Sequence, residues 1–126
     1  MLTLRILPQQ FTVCKITSPE GVDFTAPFVF LSKTDDELSL VCESQIVPEN
    51  TTDTEAGWRG FKITGQLDFS LVGILAKISG LLAEAGISLF AISTYNTDYI
   101  LVKESSLQQA VASLTTPGYT IEYQHI

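Results

Sequence analysis

A chain of 126 residues is long enough to bury a hydrophobic core, as one domain or as two very small ones. Its 45% hydrophobic and 17% charged side chains are typical of a folded globular protein and not of a disordered one. Seven basic and fourteen acidic residues give a net charge of −7, which argues against the basic patch that nucleic acid or an anionic lipid surface requires.

Three further features predict a cytoplasmic protein that does not bind a membrane. The most apolar region, residues 69–92, contains Lys77 and Glu84 and falls short of the roughly 20 apolar residues that span a bilayer. The N-terminal MLTLRILPQQ lacks the basic start and long apolar run of a signal peptide. Cys14 and Cys42 lie in strand-like segments without metal-type spacing, so we expect two buried reduced thiols, with a disulfide as the alternative.

The first part of the chain is predicted to be rich in strands. LTLRI, FTVCKI, FVFL and ELSLVCE read as separate strands, and the connections between them contain Pro8, Pro27 and the turn residues 19–21 and 35–36. No segment here offers three turns of amphipathic helix. We hypothesise that this part is a shortened relative of the part that follows, although the two share no strong residue-level repeat.

The composition changes near the middle of the chain. VPENTTDTEAGWRG, residues 47–60, collects Pro, Asn, Thr, Asp, Glu and Gly and is predicted to be a loop or linker. We therefore predict two domains, residues 1–57 and residues 58–126.

The second domain begins with a strand and a helix. FKITGQL alternates apolar and polar residues, as a strand with one buried face does. From Ile74 the apolar positions follow a helical stripe. Asp68 or Ser70 is expected to cap the start of this helix, and Gly86 stands where a left-handed residue ends one. The stripe consists of Ile74, Leu75, Ile78, Leu81, Leu82 and Ala85.

Two more strands, a helix and a last strand complete the pattern. ISLFAIST is nearly unbroken in its apolar character, so we expect a strand covered on both faces, and DYILVK is predicted to be the next strand. SSLQQAVASL predicts a helix in which Ser106 and Gln109 have the spacing of a capping box. YTIEY alternates as a final strand. The order β-α-β-β-α-β predicts an α+β, ferredoxin-like fold: one antiparallel sheet with both helices on one face.

The sequence offers little for catalysis. Its single histidine, His125, lies one residue from the C-terminus. We find no nucleophile elbow, no phosphate-binding glycine loop and no metal-type spacing of acidic residues. We therefore predict a protein that is not an enzyme and that uses no metal or cofactor.

The stretch ISTYNTDYILV places polar groups between two apolar strands. The bland reading is an ordinary polar turn, in which Asp98 bonds its own backbone. The functional reading is a ligand site. The free N–H groups at the start of the first helix, around Val72, Gly73 and Ile74, favour an anion such as an α-carboxylate, and Asp98 offers a negative charge to a cation. A zwitterion would then be recognised at both ends.

The segment GILAKISGLLAEAGISLFAISTYNTDYILVKESSLQQAVASL closely resembles an ACT domain, a small-molecule regulatory module. The resemblance lies in the glycine before the apolar helix, in LAEAGI before the next strand, in ISTYNTD and in the second helix. It covers roughly residues 58–123 and is greatest for the ACT domains of aspartate kinases, small stand-alone two-domain ACT proteins and cytosolic arginine sensors. The first domain resembles the degenerate leading domain of that group, with ELSLVCE and GWRGFKITG as markers.

This resemblance implies an amino acid as ligand, bound where the first helix begins, often next to a neighbouring subunit, and hence a homodimer. The backbone groups of the ligand would lie at the helix entry, and the hairpin would form the opposing wall. In the arginine sensors an acidic residue stands two places before the glycine, where this chain has Leu71, so arginine is not implied as the ligand. The implied ligand-binding residues are Asp68, Val72, Gly73, Ile74, Leu75, Ser93, Thr94, Tyr95, Thr97 and Asp98.

Two hypotheses follow. The first is a non-enzymatic, amino-acid-binding regulatory module, acting on a protein partner that the sequence does not name. The second is a ligand-independent dimerisation or protein-interaction module, in which the polar hairpin is only a turn and the exposed edges of the sheet carry the function.

Overall fold

The structure, a computed structural model, describes residues 2–64 and 73–123. Within these residues the chain forms seven strands and two helices, with two short 3-10 turns at Ser44–Ile46 and Glu104–Ser106. The strands and helices are β1 (Thr3–Ile16), β2 (Val29–Lys33), β3 (Leu38–Glu43), β4 (Thr51–Thr64), α1 (Ile74–Glu84), β5 (Leu89–Ser93), β6 (Asp98–Lys103), α2 (Leu107–Thr115) and β7 (Thr120–Tyr123).

The two strands predicted at the beginning of the chain are one. LTLRI and FTVCKI form the 14-residue strand β1, which runs through Pro8 without a break. Proline holds its φ near −65° and lacks an N–H, but an extended backbone accepts that φ where no hydrogen bond from this residue is needed. Pro8 was therefore wrongly predicted to mark a connection.

The predicted linker at residues 47–60 is wrong over most of its length. From Thr51 onward these residues form the first ten positions of β4, and residues 52–56 are exposed. Their polar composition is typical of a loop, but Thr51, Thr52 and Thr54 are β-branched residues that favour an extended backbone. The strand thus keeps β geometry where its side chains face solvent.

The described residues form two compact units. One unit contains the chain up to Pro8 and from Arg59 onward, and the other is Gln9–Trp58. Both β1 and β4 therefore contribute residues to each unit. The division into domains at residues 1–57 and 58–126 stays a prediction.

The unit that carries both helices has the predicted α+β, ferredoxin-like fold. Its strands lie in the order β7-β1-β4-β6-β5, and both helices pack on one hydrophobic core with the strands. The sheet is not wholly antiparallel as predicted, because β7 pairs in parallel with the start of β1, from Thr3↔Thr120 to Ile6↔Tyr123. The core contains Leu4, Ile6, Phe61, Ile63, Ile78, Leu82, Ile87, Ile100, Val102, Ala110, Leu114 and Tyr119.

Both helices occur where the apolar periodicity predicts them, but their predicted caps are wrong. Gly73 is the N-cap of α1 and has no side chain to bond, whereas Asp68 and Ser70 lie outside the described residues. Ser106 makes no side-chain cap hydrogen bond, and Gln109 Nε2 instead donates to the Ala85 carbonyl oxygen at 3.0 Å. Gly86, with φ 76°, is in the left-handed conformation that the sequence predicts there.

Strand β5 is less buried than its apolar sequence predicts. It ends the strand order, and none of its five residues is buried: Ala91 and Ser93 are exposed and the others are half-buried. The expectation of cover on both faces is therefore wrong within this chain. An apolar sequence indicates that a strand can be buried on both faces, but it does not show which residues cover those faces.

The unit Gln9–Trp58 is built from strands and one 3-10 turn. Cys14 and Cys42 are buried in its core with Ile16 and Leu40, and both are free thiols. Since β1 pairs with β3 in the register Cys14↔Leu40 and Thr12↔Cys42, the two cysteines are diagonal neighbours and not directly opposite each other. The predicted pair of buried reduced thiols agrees with this arrangement.

The two units contain hairpins of the same construction. The strands β5 and β6 begin and end 60 residues after β2 and β3, at 29–33 and 38–43 against 89–93 and 98–103. In each four-residue turn the N–H of the first residue, a threonine, donates to the carbonyl of the fourth: Thr34 to Glu37 at 3.0 Å and Thr94 to Thr97 at 2.8 Å. A 3-10 turn follows each second strand directly. The structure thus supports the hypothesis that the strand-rich part is a shortened relative of the other.

Candidate functional site

The hairpin that joins β5 to β6 holds five of the predicted site residues. Ser93 and Asp98 are paired across the hairpin at the ends of the two strands, and the turn between them presents its side chains to solvent. Tyr95 is 85% exposed. Ser93 and Thr94 are exposed, and Thr97 and Asp98 are half-buried.

Two threonines of this hairpin hold its shape. The Thr94 hydroxyl donates to the Thr97 carbonyl oxygen at 3.0 Å, within the turn. The Thr97 hydroxyl donates to the Ile63 carbonyl oxygen near the end of β4, which fixes the turn against that strand. Because each hydroxyl has one proton, neither threonine has a proton left to donate to a ligand. Their role in this arrangement is to place Ser93, Tyr95 and Asp98.

The start of α1 holds the other described residues of the predicted site. Gly73 is exposed and has φ 82°, a left-handed conformation that glycine adopts without strain. The Lys77 N–H donates to the Gly73 carbonyl oxygen at 2.9 Å, so the N–H groups of Ile74 and Leu75 precede the helical ladder. The side chains of Ile74 and Leu75 pack against the core, so these residues offer a ligand only their backbone amides.

Residues 65–72, which lead from β4 to α1, lie outside the described part of the chain, and with them Asp68 and Val72. The structure thus anchors the hairpin to the strand that leads into this segment, and it describes the helix that leads out of it. That the two groups of residues face one another across a ligand stays a prediction.

A cavity of about 330 Å³ adjoins the hairpin. Thr94 and Thr97 line it, so the structure brings two of the predicted residues to a concave surface. The other lining residues are Arg5, Lys62, Ile63, Thr64, Asn96 and Tyr99. Burial raises the pKa of the Tyr99 phenol, which is therefore neutral at physiological pH.

Sequence reasoning missed the two cations of this cavity. Arg5 and Lys62 are separated by most of the first half of the chain and come together because β1 and β4 are neighbours in the sheet. Each alternates with buried core residues, Leu4 and Ile6 around Arg5 and Phe61 and Ile63 around Lys62. This alternation was the available signal, because it places both cations on the sheet face opposite the helices.

The described residues contain neither a cluster of metal ligands nor a helix that could span a membrane. No three His, Cys, Asp or Glu side chains there come close enough to hold a metal ion. No helix in residues 2–64 and 73–123 is long and apolar enough to cross a membrane. A second, more open concavity of about 600 Å³ lies in the unit Gln9–Trp58, next to Glu20 and Glu49, and contains none of the predicted site residues.

Comparison with known proteins gives the context of this geometry. The family model described as "ACT domain" matches residues 53–116, half of the chain. The "Cytosolic arginine sensor for mTORC1 subunit 1" of Mus musculus is 34% identical over 110 residues, which are 81% of this chain and 33% of the sensor. The chain therefore spans about a third of the length of this relative.

Two solved structures share the fold. A crystal structure of an Agrobacterium tumefaciens protein has a TM-score of 0.88 and 29% identity, and the match covers 99% of this chain and 95% of that one. The regulatory subunit of aspartate kinase from Thermus thermophilus has a TM-score of 0.63 and 8% identity, with 87% and 93% covered. At that identity the second likeness concerns the fold alone.

Proposed function

Because the chain belongs to the ACT domain family, we propose that it is a regulatory module that binds a free amino acid and is not itself an enzyme. The observation that carries this proposal is the anchored hairpin. Thr97 fixes the turn to β4, and Thr94 closes it, so that one hairpin holds Ser93, Tyr95 and Asp98, of which the first two are exposed and Asp98 is half-buried. A small polar ligand could therefore reach hydroxyl and carboxylate groups whose positions the hairpin fixes.

The two ends of an amino acid would be recognised by different elements. The backbone amides of Ile74 and Leu75, with those of Val72 and Gly73, would receive the α-carboxylate, since free N–H groups and the positive end of a helix favour an anion. The Asp98 carboxylate, with the hydroxyl groups of Ser93 and Tyr95, would receive a cationic group of the ligand. Asp68 would add a second negative charge to this region.

The comparisons support an amino acid as ligand and a regulatory role. The mouse relative is named an arginine sensor. We further propose that this protein acts in the cytoplasm, as the name of the mouse relative says of that protein, and that it acts as a homodimer on a protein partner. Leu71, which stands where the arginine sensors have an acidic residue, favours a ligand other than arginine.

A thermal-shift screen with the twenty amino acids tests the proposal. A ligand at about 100 times its Kd stabilises the folded state by about 2.7 kcal/mol, which raises the Tm by several degrees. We expect one or two amino acids to give such a shift, and we expect Asp98→Asn to abolish it, because that change removes the charge and keeps the side-chain shape.

The matched control is Asp35→Asn in the corresponding turn of the other hairpin, where Asp35 is exposed. It removes the same charge from the other hairpin and should leave the shift intact. A panel without any shift at millimolar concentration would contradict the proposal. That result would favour the second hypothesis, a ligand-independent interaction module.

A further inference from the structure

The charged residues that line the cavity beside the hairpin are both basic, although the chain as a whole is acidic. The chain has 7 basic and 14 acidic residues, yet the cavity's charged lining residues are the two cations Arg5 and Lys62. Its volume of about 330 Å³ is within the range of small-molecule sites. A concave surface with two positive charges on an acidic protein points to a ligand of negative charge.

The state of each cation shows which of them is available. Arg5 Nε donates to Glu122 Oε1 at 2.7 Å, a directly opposite residue on β7, so Glu122 offsets one of the two positive charges. Both members of this pair are partly exposed, 37% and 45%, and the terminal guanidinium N–H groups make no further bond within the described residues. Lys62 is half-buried, and no carboxylate pairs with it in that part of the chain. Among the described residues, Lys62 therefore carries a positive charge of the cavity that no carboxylate offsets.

The other residues that line the cavity are uncharged, so its positive charge determines which ligands bind. The hydroxyls of Thr64, Thr94 and Thr97 each donate to a backbone carbonyl oxygen, at Thr3, Thr97 and Ile63 respectively. Their protons are thus committed to holding β1, β4 and the hairpin together. Among the side chains that line the cavity, the Lys62 ammonium, the Arg5 guanidinium and the Asn96 amide are donors that suit an oxyanion.

We propose that this cavity binds a small organic anion through a carboxylate or phosphate group held by Lys62, with Arg5 and Asn96 as supporting donors. The site lies on the sheet face opposite the helices and differs from the amino-acid site proposed above, which depends on Asp98 and the start of α1. Its binding does not require that the amino-acid proposal be correct. Because the interaction is ionic and partly exposed, it weakens as salt concentration rises.

Two probes distinguish the two anion chemistries: inorganic phosphate and succinate, each titrated into the full chain in chloride-free buffer. Binding is followed by NMR chemical-shift changes at the backbone amides of Lys62, Thr64 and Asn96. We expect saturable shifts with at least one probe. Lys62→Gln should weaken that binding at least tenfold, since a hydrogen bond to a charged group is worth about 1.5–3 kcal/mol and each 1.4 kcal/mol is tenfold.

Two control variants make the result specific. Lys33→Gln removes the same charge from an exposed position in the other hairpin and should leave the affinity unchanged. Lys62→Arg retains the charge and should restore most of the affinity. Binding by Asp98→Asn that equals the wild type would show that this site is independent of the amino-acid site. Absence of saturable shifts up to about 10 mM, or equal binding by Lys62→Gln and the wild type, would overturn the proposal.

Discussion

Cys42 makes the stability of this protein depend on pH in the alkaline range. Burial, and to a smaller extent Cys14 and Glu43, raise the pKa of Cys42 from 9.0 to about 11. An unfolded chain loses this proton near pH 9, whereas the folded protein keeps it until about pH 11. Between these values the folded state binds more protons, so its stability falls as the pH rises.

We therefore expect the free energy of unfolding in urea to decrease between pH 9 and 11, and to decrease less steeply in Cys42→Ala. The comparison of slopes removes the contribution of lysines and tyrosines, which titrate in both proteins. Burial also raises the pKa of Cys14, so neither folded thiol should react with iodoacetamide at pH 8. Equal slopes in the two proteins, or fast alkylation at pH 8, would contradict this account.

The individual site residues show what a sequence can reveal at this scale. Ser93 and Asp98 are paired across a polar junction between two apolar strands, so their residue types and local spacing were sufficient to select them as candidates. Arg5 and Lys62 were not selected, because their proximity follows from the pairing of β1 and β4, which no local pattern specifies. The hydroxyls of Thr94 and Thr97 were selected as ligand contacts, yet the structure shows that their protons bond the backbone.

At the scale of the element, replacing Gly80 inside α1 and Gly86 beyond its end by alanine should have opposite effects on stability. Gly80 lies inside the helix, and a Cβ added there would meet nothing within 4 Å. Gly80 is therefore not needed for a close contact between the helix and the sheet. Gly80→Ala should raise the free energy of unfolding by about 0.8–1.0 kcal/mol, the propensity difference between these residues in a helix interior.

Gly86→Ala is the matched control for this change. A Cβ at Gly86 also meets nothing within 4 Å, but the residue has φ 76°, which alanine adopts only at a cost of about 1–2 kcal/mol. It should therefore destabilise the protein where Gly80→Ala stabilises it, with both effects measured by urea unfolding. Destabilisation by Gly80→Ala would mean that the helix contacts another surface at this point.

The elements themselves differed in how well their sequence specified them. The helices were predictable because an apolar stripe and a terminal Gly86 are local signals of helix. Strand β4 was not, because its first residues are polar and exposed and so have the composition of a loop. The connection predicted at Pro8 was wrong because a proline interrupts a strand only where its missing N–H is needed for pairing, and the local sequence does not show this.

At the scale of the whole molecule, the two units contain hairpins of the same construction, as a shortened relative of the second unit would. The hairpins agree in strand length, in turn hydrogen bonds and in the 3-10 turn that follows. The sequence shows no strong residue-level repeat because the two hairpins agree in backbone geometry, whereas TDDE and TYNT share only their first residue.

The proposed homodimer gives a prediction at this scale. Strand β5 is at one end of the strand order, so the backbone groups on its outer side have no strand partner within the described chain. A second copy could pair with this edge and satisfy them. Light scattering should then give a molar mass of twice 13.8 kDa.

Ala91→Lys tests whether β5 is the edge that pairs. Ala91 is exposed on β5, so an added lysine leaves the monomer core intact, while a symmetric dimer would bring the added charge of each copy into the same interface. We expect this variant to dissociate to 13.8 kDa at concentrations where the wild type remains dimeric. Ala83→Lys, the same substitution at an exposed position of α1, should remain dimeric. A monomeric wild type at every concentration would contradict the dimer itself. A dimer that survives Ala91→Lys would instead place the interface away from β5.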